Sequence, residues 1–365
     1  MKRTLGLTLL LFATLFSCMR QEKPLPAELS RAESVMWEHP DSALSILRSM
    51  PQSSLSIGKN YATWALLLAQ ARDKVYGKRL PDSLNIPSSD KLVQDAMDYF
   101  EKEGDLKRMA QTYYYKGQLL KDQKKITEAM PFFLKSKEMM TKLDEPLFTY
   151  LICQSLGNMY RYQDLYEESL VQLKDAYQYA LRSGNGERIS YALSELGRTY
   201  VHKNEMDSAL FYFGKSLDNA QRLGNIELEA MAMGELGVVY NKLSQGEKAL
   251  HYTRKELDLC LQISSLHKLP QVYYKIGSAF WSLGQLDSAK VYFQKSLETD
   301  NLYTLNEAYE VLYYICVEQK LYKEAIEYNN QYLIYSDSLQ VINHAGELAE
   351  IQARYDHERL LNINN

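Results

Sequence analysis

The side chains that could do chemistry in this chain are few and far apart. Six histidines, His39, His202, His251, His267, His344 and His357, are scattered along 365 residues with no H-E-x-x-H and no His-Cys cluster, so no metal site is indicated. Cys18 stands near the N-terminus, and Cys153, Cys260 and Cys316 lie far apart. An odd number of cysteines beyond Cys18 argues against a disulfide framework. Phosphate loops, dinucleotide fingerprints and nucleophile elbows are missing: there is no G-x-x-x-x-G-K-[ST], no G-x-G-x-x-G and no G-x-S-x-G. Gly197-Arg198-Thr199 sits in the middle of a helical pattern and cannot be a phosphate loop. The acidic residues read as helix surface and helix starts. No catalytic residue, cofactor or metal is expected.

A formal charge of −4 also speaks against nucleic acid as a partner. What remains is binding, and binding needs a frame. That frame is legible in Tyr191–Leu217. Leu193, Leu196, Gly197 and Tyr200 fall at i, i+3, i+4 and i+7, one stripe of an amphipathic helix. Ala209, Phe213 and Ser216 form a second stripe, and the short polar Lys203-Asn204-Glu205 between them folds the helices back antiparallel. One such pair cannot bury both stripes alone.

The pair recurs. Gly117, Gly157, Gly197, Gly237 and Gly277 are spaced 40 residues apart. Twelve residues after each comes Ala129, Ser169, Ala209, Ala249 or Ala289. Three residues after each comes Leu120, Tyr160, Tyr200, Tyr240 or Phe280. A second large-residue slot holds Phe133, Leu173, Phe213, Thr253 and Phe293. Cys153 and Cys316 fall in slots that Leu193 and Tyr200 fill elsewhere, which makes them core filler. Five glycines in one register are an internal repeat, the strongest organising signal a sequence can give.

Leu196-Gly197…Tyr200…Ala209…Phe213, with Leu156-Gly157…Tyr160, Leu236-Gly237…Tyr240…Ala249 and Ile276-Gly277…Phe280…Ala289…Phe293, resembles the tetratricopeptide repeat. The resemblance implies an all-α fold, a right-handed superhelical α-solenoid of antiparallel helix pairs. The family repeat is about 34 residues, so the extra residues lie between helix B of one pair and helix A of the next. That predicts a longer helix B, stopped by left-handed glycine caps at Gly104-Asp105, Gly184-Asn185 and Gly224-Asn225. It also implies that helices A line a concave groove for a protein or peptide ligand. Gln111, Tyr114, Gln118 and Lys121 would face the groove, as would Gln154, Asn158 and Arg161. Tyr191, Arg198, Asn241, Gln271, Tyr274 and Trp281 would continue it. Aromatic residues and arginines are the usual interface anchors, and amides pair with peptide backbone. Asn158 matches one place of the family's carboxylate clamp, but Gln154 stands where that clamp needs lysine, so capture of a C-terminal carboxylate is not expected.

The ends carry other signals. Lys2 and Arg3 precede the apolar run Leu5–Phe16, too short to span a bilayer, so residues 1–17 read as a signal peptide. Leu15-Phe16-Ser17-Cys18 resembles a bacterial lipobox, which implies a lipidated Cys18, a tether over 18–26 and membrane contact through that lipid alone. Loss of Lys2 and Arg3 would take the charge from −4 to −6. The expected location is the cell envelope, periplasm-facing. Residues 27–104 read as degenerate N-terminal helix pairs. Their Asp41-Ser42-Ala43-Leu44 repeats the helix-B starts Asp207-Ser208-Ala209-Leu210 and, in its first three residues, Asp287-Ser288-Ala289-Lys290, where aspartate suits free N–H groups and the positive dipole end. Residues 77–89 read as an exposed loop, 105–338 as the solenoid, and 339–365 as a capping or coiled-coil helix through which a homodimer could form. Signal, tether and long repeats together resemble repeat lipoproteins of the Bacteroidetes type. The expected function is a non-catalytic envelope scaffold. A sensory or regulatory input module acting through the C-terminal helix is the alternative.

Overall fold

A computed structural model describes residues 25–51, 55, 58–76, 89–123 and 125–340. The signal segment, Cys18, the loop over 77–88 and the helix expected beyond residue 340 lie outside the described residues. Among those described, the regular structure is helical: sixteen α-helices and one short 3₁₀ turn, Leu266–Lys268. The chain divides into two compact units, Met1–Gly104 and Asp105–Asn365.

In the first unit, α1 (Ala27–Val35) pairs with α2 (Pro40–Ser49), and α3 (Lys59–Tyr76) pairs with α4 (Ser89–Glu103). The Trp64 indole donates to the Leu47 carbonyl at 2.9 Å, tying α3 to α2. Tyr61 donates to Asp95 at 2.8 Å across the second pair, and burial together with that carboxylate pushes its phenol up to about 12.

The second unit is an α-solenoid. Its pairs are α5 (Leu106–Asp122) with α6 (Ile126–Lys142), α7 (Pro146–Tyr162) with α8 (Tyr166–Ser183), and α9 (Gly186–His202) with α10 (Met206–Leu223). They continue as α11 (Ile226–Lys242) with α12 (Gly246–Gln262), α13 (Leu269–Ser282) with α14 (Leu286–Ser296), and α15 (Leu302–Glu318) with α16 (Tyr322–Gln340). Each helix A (α5, α7, α9, α11, α13 and α15) packs on its own helix B, and from α7 onward successive helices A also touch each other. Helices A therefore crowd the inside of the curve.

The glycine register explains the pairing. A Cβ on Gly117, Gly157, Gly197, Gly237 or Gly277 would stand 2.6–3.1 Å from Phe133, Leu173, Phe213, Thr253 or Phe293, always the residue sixteen later. The two backbones approach at the glycine while the helix-B side chain lies over it. Ala129, Ser169, Ala209, Ala249 and Ala289 are fully buried beside it.

The glycine caps are as expected: Gly104, Gly184 and Gly224 have φ of 75°, 65° and 62°. Asp105, Asn185 and Asn225 cap the following helices by accepting from Arg108, Arg188 and Leu228 N–H. Two expectations need correction. Helices B from α6 to α12 run 17 or 18 residues, but helices A from α5 to α11 run 17 as well, so the added length is shared between them. Asp41, Asp207 and Asp287 lie in the first turn without being the cap. The N-caps there are His39, Glu205 and Gln285, and none makes a side-chain cap bond. Those aspartates serve the helix dipole alone.

Candidate functional site: a charged cleft on the inner face

Because helices A are 40 residues apart in register, side chains at equal offsets from the glycine stack along the inner face. Two residues before it stand Glu195, Glu235 and Lys275; one after it stand Asn158 and Arg198; four after it stand Arg161, Asn241 and Trp281. Of these, Arg161, Arg198, Glu235 and Lys275 line a cleft of about 400 Å³ formed by α7, α9, α11, α12 and α13.

Ion pairs sew the cleft wall together. Arg161 Nη1 donates to Glu195 Oε2 at 2.6 Å, both side chains almost wholly buried. The other Glu195 oxygen accepts from Arg198 at 2.7 Å, and Arg198 reaches on to Glu235 Oε1 at 2.6 Å. One chain of charges thus joins α7, α9 and α11. Farther along, Lys275 Nζ donates to Glu256 Oε1 at 2.7 Å, joining α13 to α12, and Lys268 pairs with Glu227 at the rim at 2.5 Å.

The environment moves these groups in different directions. Burial alone would raise the Glu195 carboxyl, but Arg198 and Arg161 outweigh it and hold the group below the usual carboxylate range. Burial dominates at Glu256, which stays above that range although Lys275 pulls it down. Burial would lower Lys275, but Glu256 and Glu235 raise it on balance. His202, at the cleft edge, is lowered by burial and then by Arg161 and Lys242. Tyr162 closes one side: its ring stacks on Tyr303 of α15, centroids 5.6 Å apart, bridging the inside of the curve between residues far apart in sequence.

Of the side chains expected to face a groove, Arg161, Arg198 and Gln271 are brought together in this cleft. Arg161 is 4% exposed and serves the ion network more than a ligand. Gln111 and Tyr114 are buried in the packing of α5 rather than presented on a surface. Gln118 donates to the Tyr114 hydroxyl at 2.9 Å and accepts from Lys121 at 2.5 Å, a separate string on α5. Gln154 is half-buried, and Asn158 and Asn241 have shielded carbonyl oxygens that no protein donor reaches. Tyr274 lies edge-on to Phe293, its hydroxyl raised by burial and Glu307. Tyr191 and Trp281 are exposed.

Sequence reasoning passed over Glu195, Glu235, Lys275 and Glu256. Three of them share one offset from the repeat glycine, and that register was the available signal. Gly234 was another: a glycine inside a helix and outside the repeat position marks a close approach. Cys153, Cys260 and Cys316 are buried free thiols, each raised by burial, the reverse of an activated nucleophile. Among the described residues no group of three or more His, Cys, Asp or Glu is placed to hold a metal, and no helix is long and apolar enough to cross a membrane.

The family model described as tetratricopeptide repeat matches residues 110–139 and 270–301. No curated protein matches the chain in sequence. Among solved structures the chain is similar to a signal-transduction ATPase with a tetratricopeptide repeat sensor from Pyrococcus horikoshii, at TM-score 0.60 and 16% identity over 85% of this chain. It spans only 46% of that protein. It is similar to a Rap protein complexed with competence and sporulation factor, at TM-score 0.62 and 12% identity over 87% of this chain and 98% of the other. Aspartyl phosphate phosphatase F from Bacillus subtilis aligns at TM-score 0.51 and 14% identity, over 91% of this chain and 95% of the other. At such identities the likeness is one of fold.

Proposed function

We propose that this tetratricopeptide-repeat protein is a non-catalytic scaffold, lipid-anchored in the bacterial envelope, that holds a peptide or protein segment along its helix-A face. The observation that carries the binding role is the cleft between α7 and α13: a concave, charged recess of about 400 Å³ lined in part by Gln271, with exposed Tyr191 at the same offset two repeats earlier and exposed Trp281 on the same helix as Gln271. Exposed aromatic rings beside a recess are the usual anchors of an interface. That a Rap protein was crystallised with competence and sporulation factor is consistent with this use of the fold.

The test is affinity capture from the protein's own membranes with a Tyr191→Ala, Gln271→Ala, Trp281→Ala variant as control. All three side chains are exposed, so the fold should tolerate the changes. Loss of a partner in the variant supports the groove; retention of every partner refutes it. The anchor rests on Lys2-Arg3, the apolar run and Cys18. A Cys18→Ser chain that still fractionates with membranes and still carries lipid would rule it out.

One observation favours a second reading, a regulatory input module. The last described helix, α16, leaves Tyr322, Ile326, Leu333 and Ile334 exposed, a face that a second copy could cover. Deletion of residues 341–365 separates the two: a scaffold keeps its partner, whereas a signalling module loses output.

A further inference from the structure

Gly234 and Glu256 break the repeat together. The helix-B slot of Glu256 holds Ser136, Ala176, Ser216 and Ser296 in the other repeats, every one of them fully buried. Ser136 and Ser216 use it to donate to the carbonyls of Ala110 and Ser190 on the paired helix. The facing helix-A slot holds Tyr114, Gln154, Ser194 and Tyr274, but Gly234 here. In the neighbouring repeat Ser194 and Ser216 simply bond each other at 2.9 Å. A Cβ on Gly234 would stand 2.3 Å from the Glu256 carboxyl carbon and both its oxygens, so the glycine is what leaves room for that carboxylate. Both departures work against stability. Glycine inside a helix is unfavourable relative to alanine, and burying a carboxylate where serine suffices is unfavourable as well. The packing asks for neither.

The carboxylate is also left incomplete. Both oxygens of Glu195 are engaged by arginines, whereas Lys275 takes only Oε1 of Glu256, and Oε2 is buried with no protein donor. Glu256 is 5% exposed and lines the cleft. The four lysine and arginine side chains of the cleft each face a carboxylate already: Arg161 and Arg198 on Glu195, Lys268 on Glu227, Lys275 on Glu256. An incoming anion would have to displace one of these. An incoming cation finds the open acceptor on Glu256 and the nearby charge of Glu235, which is felt at both Glu256 and Lys275.

We propose that Glu256, cradled by Gly234, is the recognition carboxylate for a basic group, a lysine ammonium or an arginine guanidinium, on the segment held in the cleft, and that Lys275 occupies its place in the empty protein. This rests on the groove reading above. Because Oε2 is shielded while the cleft is empty, the Lys275 side chain swings toward Glu235 as the ligand's cation arrives. Lys275 is therefore a competitor.

The experiment is calorimetric titration of the full chain at low salt with end-blocked hexalysine and, separately, hexaglutamate. Glu256→Gln keeps the shape of the side chain and should weaken hexalysine at least tenfold. Lys275→Ala should tighten it. Glu247→Gln, exposed on the same helix, should leave it unchanged, and melting curves confirm that each variant is folded. Equal affinity of wild type and Glu256→Gln, no binding of hexalysine, or tighter binding of hexaglutamate would each overturn the proposal. A natural partner lost in the Tyr191, Gln271 and Trp281 variant but held by Glu256→Gln would sink this inference and leave the groove standing.

Discussion

Gly197 and Gly214 lie on adjacent paired helices and should answer the same substitution with opposite signs. A Cβ on Gly197 meets Phe213 at 2.6 Å, so Gly197→Ala overpacks the pair and should cost about 1–3 kcal/mol. A Cβ on Gly214 meets nothing within 4 Å, so Gly214→Ala should stabilise by about 0.5–1 kcal/mol through helix propensity alone. Urea unfolding of both variants checks this. Glu195→Gln should be far costlier, about 3–5 kcal/mol at neutral pH, because it leaves the buried Arg161 short of its counter-charge. Since the Glu195 carboxyl is held below its ordinary value, its contribution is present above about pH 4.3 and is lost as pH falls through the depressed one. Wild type and variant should therefore converge only in strong acid. The repeat glycines were legible in sequence because five identical residues share one spacing. Glu195, Glu235 and Glu256 were not, because a charge on a helix is indistinguishable from solvated surface until the curvature of the solenoid buries it.

At the scale of the element, the turns are set by a left-handed residue about every twenty positions. Gly104, Gly184, Gly224 and Gly284 fill some of these places, but Asp144, Asp164, Asn204, Ser244 and Ser264 fill others with φ between 54° and 63°. A side chain with a Cβ adopts that conformation at a cost of about 1–2 kcal/mol. Ser244→Gly and Ser264→Gly should each raise stability by about 0.5–1 kcal/mol, measured as a rise in melting temperature, and Asn204→Gly should do less because asparagine tolerates the conformation. No change at either serine would mean that the strain is absorbed elsewhere in the turn. Helix starts were harder to read than stops. Asp207 and Asp287 look like caps in sequence, yet the chain enters the helix one residue earlier, at Met206 and Leu286. The glycine stops were legible because glycine alone adopts the left-handed region without a steric cost.

At the scale of the molecule, the solenoid follows from a pair of helices too small to bury its own faces, and the repeat period stated as much. The cleft does not follow from any one repeat. It arises where α7, α9, α11, α12 and α13 bring unlike residues together, with Tyr162 of α7 stacked on Tyr303 of α15. Choosing groove residues by offset found Arg161, Arg198 and Gln271 and also gathered Gln111 and Tyr114, which the packing buries. The central claim is that a peptide or protein segment lies on this inner face. Site-specific photo-crosslinking tests it most directly, with a photoreactive phenylalanine at Tyr191, Gln271 or Trp281 on the inside and at Phe211 or Val291, exposed on helices B. Adducts to a partner from the three inner positions and none from the helix-B positions are the predicted result. Adducts from Phe211 and Val291 alone would place the partner on the outside and contradict the account.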